Sequence, residues 1–136
     1  MLSQTAIHAV NAIQKLAQAG KGEYLGASAL ARSIGAPENY LGKLLAVLGE
    51  NDILESRRGL GGGFRLARPA EEITVFEVVA PFDRLHAWKS CVLGLNDCTD
   101  DNPCALHDMW KVGRERCLEM LEESTVADLR DSAKQA

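Results

Sequence analysis

The segment Ser56-Arg57-Arg58-Gly59-Leu60-Gly61-Gly62-Gly63-Phe64 decides how this chain folds. Ile53-Leu54-Glu55 precede it and Arg65-Leu66 follow. The whole stretch reads as strand, tight turn, strand, which is a β-hairpin. Four of the five residues from Gly59 to Gly63 are glycine. They permit positive φ and leave the backbone bare at the tip. Arg57, Arg58 and Arg65 flank that tip, with Arg68 beyond. A phosphate-binding loop is the weaker reading, because the lysine-then-hydroxyl ending and the following helix are both missing.

Three helices are expected upstream. Ala6, Ile7, Val10, Ile13, Leu16 and Ala17 recur at three- and four-residue steps, the stripe of an amphipathic helix ended by Gly20-Lys21-Gly22. Ser28 is placed to cap a short second helix over 29–34, broken by Gly35. Pro37 suits the first turn of a third helix running from Glu38 to about Asn51, with Leu41, Leu44, Leu45 and Leu48 on its buried face. Two helices joined by a short glycine-containing turn form a helix-turn-helix, and the hairpin after them forms a wing. Downstream, Thr74 is placed to cap a short helix through Val79, stopped by Pro81. No helical period runs from Asp83 to Pro103, and long ordered connections are usually functional. Cys104 to Glu123 reads as one helix, with Leu106, Met109, Trp110, Gly113, Cys117, Met120 and Leu121 on its apolar side. A final short helix is expected over 126–136. The fold class is therefore mainly α with a small β-hairpin. The expected units are a winged helix-turn-helix over 1–82, a cysteine-containing loop over 83–104 and a dimerisation helix with its tail over 104–136.

Charge is divided along the chain. The net charge of −4 argues at first against a nucleic-acid partner. Residues 1–70, however, carry eight Lys/Arg against five Asp/Glu, and residues 71–136 carry seven against fourteen. The basic half is the one holding the helix-turn-helix, so it can face DNA while the acidic half stays clear. The exposed face of the third helix would enter the major groove, and the wing would grip phosphates or the minor groove. Candidate DNA contacts are Asn39, Tyr40 and Lys43 on the helix, and Arg57, Arg58, Gly61, Gly62 and Arg65 on the wing. No apolar run approaches the roughly 20 residues that span a bilayer. Residues 1–20 lack a signal-peptide pattern, so a cytoplasmic location without a membrane partner is expected.

Four cysteines in such a chain favour metal or redox chemistry over structural disulfides. Cys91, Cys98 and Cys104 are followed closely by His107. Three thiolates and one imidazole make a four-ligand set for a soft metal or an iron–sulfur cluster. The residues between them are turn-forming and able to wrap such a centre. A closed zinc site and a metal-free thiol switch are the alternatives that the spacing leaves open. Cys117 is expected in the core. His8 and His86 are expected to be surface or structural, and Trp88 and Trp110 to serve packing.

The wing motif, Tyr40-Leu41 upstream and the cysteine loop downstream resemble together the Rrf-type winged-helix regulators, over about residues 2–130. The resemblance implies a homodimer, paired through the long C-terminal helix, that reads a pseudo-palindromic site in double-stranded DNA. It also implies an iron–sulfur cluster on the three cysteines, sensing redox poise, nitric oxide or iron status. In the IscR type a histidine just after the third cysteine completes a [2Fe-2S] site, and His107 stands at that position. In the NsrR type a [4Fe-4S] cluster takes an acidic ligand from the partner's first helix. The matching position here is Ile7, which cannot ligate, with His8 beside it. This favours [2Fe-2S] with His107, and [4Fe-4S] second. Two departures stand out. Six residues separate Cys91 from Cys98, where the family usually has five, and the N-terminus lacks the usual basic stretch.

A small redox enzyme is the rival from another class. No paired acid and base, no oriented nucleophile and no Cys-x-x-Cys pair supports it. A metal-free regulator acting through a protein partner is the remaining alternative.

Overall fold

A fifteen-residue helix, α1 (Gln4–Gln18), forms the spine of the molecule. In this computed structural model, residues 2–20, 22–85, 88, 90–95 and 99–132 are described. Ser3 caps α1 by accepting the Ala6 N–H at 3.1 Å, and Ala9, Ala12 and Ile13 on its inner face have no exposed surface. Then come α2 (Ala27–Ile34) and α3 (Glu38–Glu50). The α2 helix is capped by Gly26 and begins at Ala27, before the expected Ser28 cap. Gly35, at φ +70°, makes the left-handed stop that lets α3 turn away. Pro37 is the N-cap of α3.

The hairpin comprises β1 (Leu54–Arg57) and β2 (Gly63–Leu66), antiparallel, with Leu54 opposite Leu66 and Glu55 opposite Arg65. A short antiparallel bridge adds Leu25 to its inner edge. The Leu25 N–H donates to the Phe64 carbonyl at 2.9 Å, and the Phe64 N–H donates to the Leu25 carbonyl at 2.8 Å. The wing is thereby sewn onto the segment that enters α2. A single 3-10 turn (Ala70–Glu72) leads to α4 (Val75–Val79), whose N-cap Thr74 forms a reciprocal capping box with Glu77.

The second half holds α5 (His107–Glu123) and α6 (Val126–Ser132). The α5 helix begins at His107, three residues later than its hydrophobic pattern suggests, because Cys104 lies outside regular structure and Ala105 and Leu106 form a turn. Its inner face carries His107, Arg114 and Leu121. The other face carries Met109, Val112 and Met120, all exposed. The apolar residues expected to share one side therefore divide between two. Backbone bonds from Val75 N–H to the Ser124 carbonyl and from Val126 N–H to the Ile73 carbonyl, both 2.8 Å, fasten the α5–α6 junction to the start of α4. Val126 and Ala127 then join the same core as α1, α2 and α3. A second apolar cluster, with Ala6, Val75, Val79, Leu85 and Leu121, seats the end of α5 on α4 and α1. Among the described residues, no helix is long and apolar enough to cross a membrane.

Candidate nucleic-acid interface and thiol centre

Burying Leu41, Leu44, Leu45 and Leu48 leaves the opposite side of α3 to solvent. Glu38, Asn39, Lys43, Ala46 and Glu50 are exposed there, and Gly42 is partly so. Asn39 and Lys43 lie one turn apart on this outward face. Tyr40 behaves differently. Its ring packs against the core, and its hydroxyl lies 3.0 Å from the Nδ1 atom of His8 on α1.

The wing arginines divide into three roles. Arg57 is folded back, donating from Nη2 to the Gly61 carbonyl at 3.0 Å. Arg65 pairs with Glu55 across the ladder. The two guanidinium carbons lie 4.5 Å from the ring centroid of Tyr24. This double cation–π contact fixes the base of the wing. Spacing arguments do not single out Tyr24; a lone aromatic near a cation-rich hairpin is its only signal. Arg58 is exposed, and among the described residues no hydrogen bond or ion pair of its side chain is seen. Of the wing cations, it is the one whose side chain no bond ties back to the protein among the described residues. Leu60 stands fully exposed beside it at the tip. Arg68 turns inward, bonded to Glu77 at 3.0 Å and to the Asp52 and Glu72 carbonyls.

The glycines differ as well. A Cβ on Gly62 would lie 2.2 Å from the Arg57 carbonyl oxygen, so this position is closed by the wing's own backbone. Gly61, at φ +73°, faces open space apart from the Arg57 side chain at 3.9 Å.

The thiol centre lies where the long loop meets α5. The backbone folds round Cys91, and the Leu93 N–H donates to Sγ at 3.4 Å. That bond, with those of the Leu95 and Gly94 N–H groups and the Cys104 thiol, draws the Cys91 thiol below its usual range. Cys104 responds the other way. The Leu106 N–H favours its thiolate, but the hydrogen bond to Cys91, burial and the Cys91 charge together push its pKa up. The two thiols are thus adjacent, which suits a cationic centre that would ionise both. Cys98 lies outside the described residues, as does His86.

His107 is 4% exposed, and its Nε2 atom sits 2.9 Å from Asp100 Oδ1. Lys111 Nζ reaches both oxygens of Asp100 at 3.1 Å. Bonds from His107 and Lys111 hold the Asp100 carboxyl below the usual carboxylate range. A carboxylate bonded to one ring nitrogen is the arrangement that orients a metal-ligating histidine. Among the described residues, no three candidate donors converge on one point. The donors that are described, two adjacent thiols in a backbone cradle and a carboxylate-oriented imidazole, fit a soft metal or an iron–sulfur cluster in chemistry.

Cys117 is only partly buried and lines a cavity of about 410 Å³ with Trp88, Cys91, Trp110 and Arg114, rather than sitting in the core. Trp110 donates from its indole nitrogen to the Ser90 carbonyl at 2.9 Å, fastening the loop to α5.

Comparison with known proteins places these features. The family model described as Rrf2, iron-dependent transcriptional regulator, matches residues 2–132. A helix-turn-helix-type transcriptional regulator of Mycobacterium tuberculosis is 35% identical over 133 residues, covering 97% of this chain and 82% of that one. The regulator IscR of Yersinia pestis is 33% identical over 91 residues, 67% of this chain and 55% of its own length. Among solved structures, CymR of B. subtilis, the global cysteine regulator, superposes with a TM-score of 0.82 at 20% identity, covering 97% of each chain. IscR of T. potens superposes with a TM-score of 0.78 at 24% identity, covering all of this chain and 91% of its own. Both share the mainly helical, two-stranded winged fold.

Proposed function

We propose that this chain, which belongs to the Rrf2 family of transcriptional regulators, reads DNA as a homodimer and senses its signal at the Cys91–Cys104–His107 junction. Its relatives are transcription regulators and not enzymes. The finer reading rests on one observation above the others. The thiol pair adjoins the first residue of α5, and α5 shows solvent a stripe of Met109, Val112 and Met120. Met109 is 85% exposed, a large apolar cost for a lone subunit, and covering that stripe with its symmetry mate supports the dimer.

Asn39 and Lys43 would face the major groove, with Lys43 on phosphate. Arg58 would reach the backbone or the minor groove from the wing. Arg57, Arg65, Gly61 and Gly62 would hold that wing in shape beside the DNA. A dimer of this kind calls for a pseudo-palindromic site with half-sites about one helical turn apart. Cys91, Cys98, Cys104 and His107 would hold the centre, a [2Fe-2S] cluster before a [4Fe-4S] cluster or zinc. A cluster there supplies a group reactive to oxidants, nitric oxide and iron scarcity. This chain's own part is to hold the thiolates in the N–H cradle and to orient His107 through Asp100. A change in the order of residues 83–104 would then alter the pose of α5 and the spacing of the two α3 helices.

The test is an absorption spectrum of anaerobically purified protein, with iron, sulfide and zinc measured on the same sample, followed by DNA binding of loaded and stripped forms at fixed salt. Equal binding by the two forms would end the sensing model. A second reading has its own support: the contact between the Cys91 and Cys104 thiols suits a metal-free dithiol switch. A colourless, metal-free protein whose DNA affinity falls on oxidation would favour it.

A further inference from the structure

Tyr40 is the third residue of α3, in its first turn. Its hydroxyl crosses to α1, where His8 Nδ1 lies 3.0 Å away. The two rings meet edge to face, with centroids 5.4 Å apart and planes at 75°. On the far side of the imidazole, the Gln4 amide nitrogen is 3.2 Å from His8 Nε2. An amide nitrogen only donates. With the Gln4 amide nitrogen facing it, His8 Nε2 is assigned as the acceptor, which puts the proton of the neutral ring on Nδ1. That proton is donated to the Tyr40 oxygen. The tyrosine's own O–H is then left as a donor that His8 does not use. Bonds in such a chain polarise one another, which strengthens the last donor.

We propose that His8 is a positioning residue that sets Tyr40 as a hydrogen-bond donor to a DNA phosphate. A phosphate oxygen only accepts, so the polarity imposed from Gln4 through His8 is the one that a backbone contact requires. This role makes Tyr40 a register-fixing contact and leaves base reading to the outward face at Asn39. It rests on the DNA-interface reading above.

The experiment uses the full chain and a duplex selected by the wild-type protein from a random pool. Affinity is read by fluorescence anisotropy for His8→Phe, Tyr40→Phe, the double variant and His8→Gln. Single neutral methylphosphonates are walked along the backbone of the same duplex. His8→Phe keeps an edge-to-face ring but removes the donor. Each single variant should weaken binding about tenfold, the loss of roughly one charge-assisted hydrogen bond. The double variant should lose no more than either. His8→Gln, which keeps an N–H donor, should recover most of the affinity. One methylphosphonate should weaken the wild type and leave His8→Phe unaffected. The slope against salt should stay the same in all variants, because no charge is removed. Additive losses, or a Tyr40→Phe variant that binds like the wild type, would overturn the assignment while DNA binding stands. A wild-type protein that selects no duplex would overturn the interface reading itself. If His8→Phe proves unstable on thermal melting, His8→Gln and Tyr40→Phe complete the comparison.

Discussion

Gly63→Ala should unfasten the wing, and its cost can be worked from the structure. Gly63 has φ +135°, a region that L residues rarely enter. A Cβ built there would lie 2.3 Å from the Leu25 carbonyl oxygen, 2.5 Å from its carbon and 2.8 Å from the Gly26 nitrogen. All three are backbone atoms, so no side chain can swing aside. Relief requires β2 to withdraw from Leu25, which breaks the two bonds between Leu25 and Phe64. Two such bonds contribute about 1 kcal/mol each. Residual strain at the substituted position adds about 1–3 kcal/mol. The variant should therefore lose about 3–5 kcal/mol, or shed the bridge locally at similar cost. Gly59→Ala is the control. Its φ of +91° is also unfavourable, but nothing lies within 4 Å of the added carbon. It should cost about 1 kcal/mol. Urea denaturation gives both numbers, and hydrogen exchange at the Leu25 and Phe64 amides separates local opening from global unfolding. A Gly63→Ala protein within about 0.5 kcal/mol of Gly59→Ala, with both amides still protected, would refute the steric argument.

Three other outcomes are expected. Arg58→Ala should weaken binding to all duplexes alike and flatten the salt dependence by about one unit for each phosphate that Arg58 neutralises; Arg57→Ala should instead lower wing protection in hydrogen exchange, and an unchanged slope for Arg58→Ala would remove it from the phosphate contacts. Thr74→Ala deletes the capping box of α4 and should cost about 1 kcal/mol in urea denaturation, whereas an unaltered midpoint would mean that the Val75–Ser124 bond alone holds that end. Cys91→Ala and Cys104→Ala should each abolish the metal content of anaerobically purified protein, while Cys117→Ala retains it; loss in Cys117→Ala would move the centre toward the cavity that Cys117 lines.

Much of the DNA-binding half is legible in the sequence because local rules decide it. The leucine period of α3, Gly35 between the two helices, the capping residue Thr74 and the glycine-rich turn each act within a few residues of themselves. What escapes depends on contacts distant in sequence. Arg57 and Arg65 look like Arg58 as surface cations, yet Tyr24 engages both and Glu55 pairs with Arg65. Tyr40 looks like an exposed helix residue until α1 supplies His8. The apolar pattern sets the start of α5 too early because Leu106 continues it through a turn that precedes the helix. His107 is legible by spacing as a ligand, but nothing in that spacing announces Asp100 as its partner. Cys98, one of the proposed ligands, lies outside the described residues.

The way α5 is fastened carries a mechanical consequence. Its C-terminal end is pinned by the bonds of Ser124 and Val126 and by Leu121 in the second apolar cluster. Its first turn is moored to the loop through Asp100, Lys111 and Trp110. The helix is a beam of about 25 Å with a fulcrum at one end. On the sensing model proposed above, a rearrangement at Cys91 and Cys104 would swing it rather than slide it. The sweep would be widest at Met109 and vanish toward Met120, so opposing beams in the proposed pair would part like scissor blades from the thiol end.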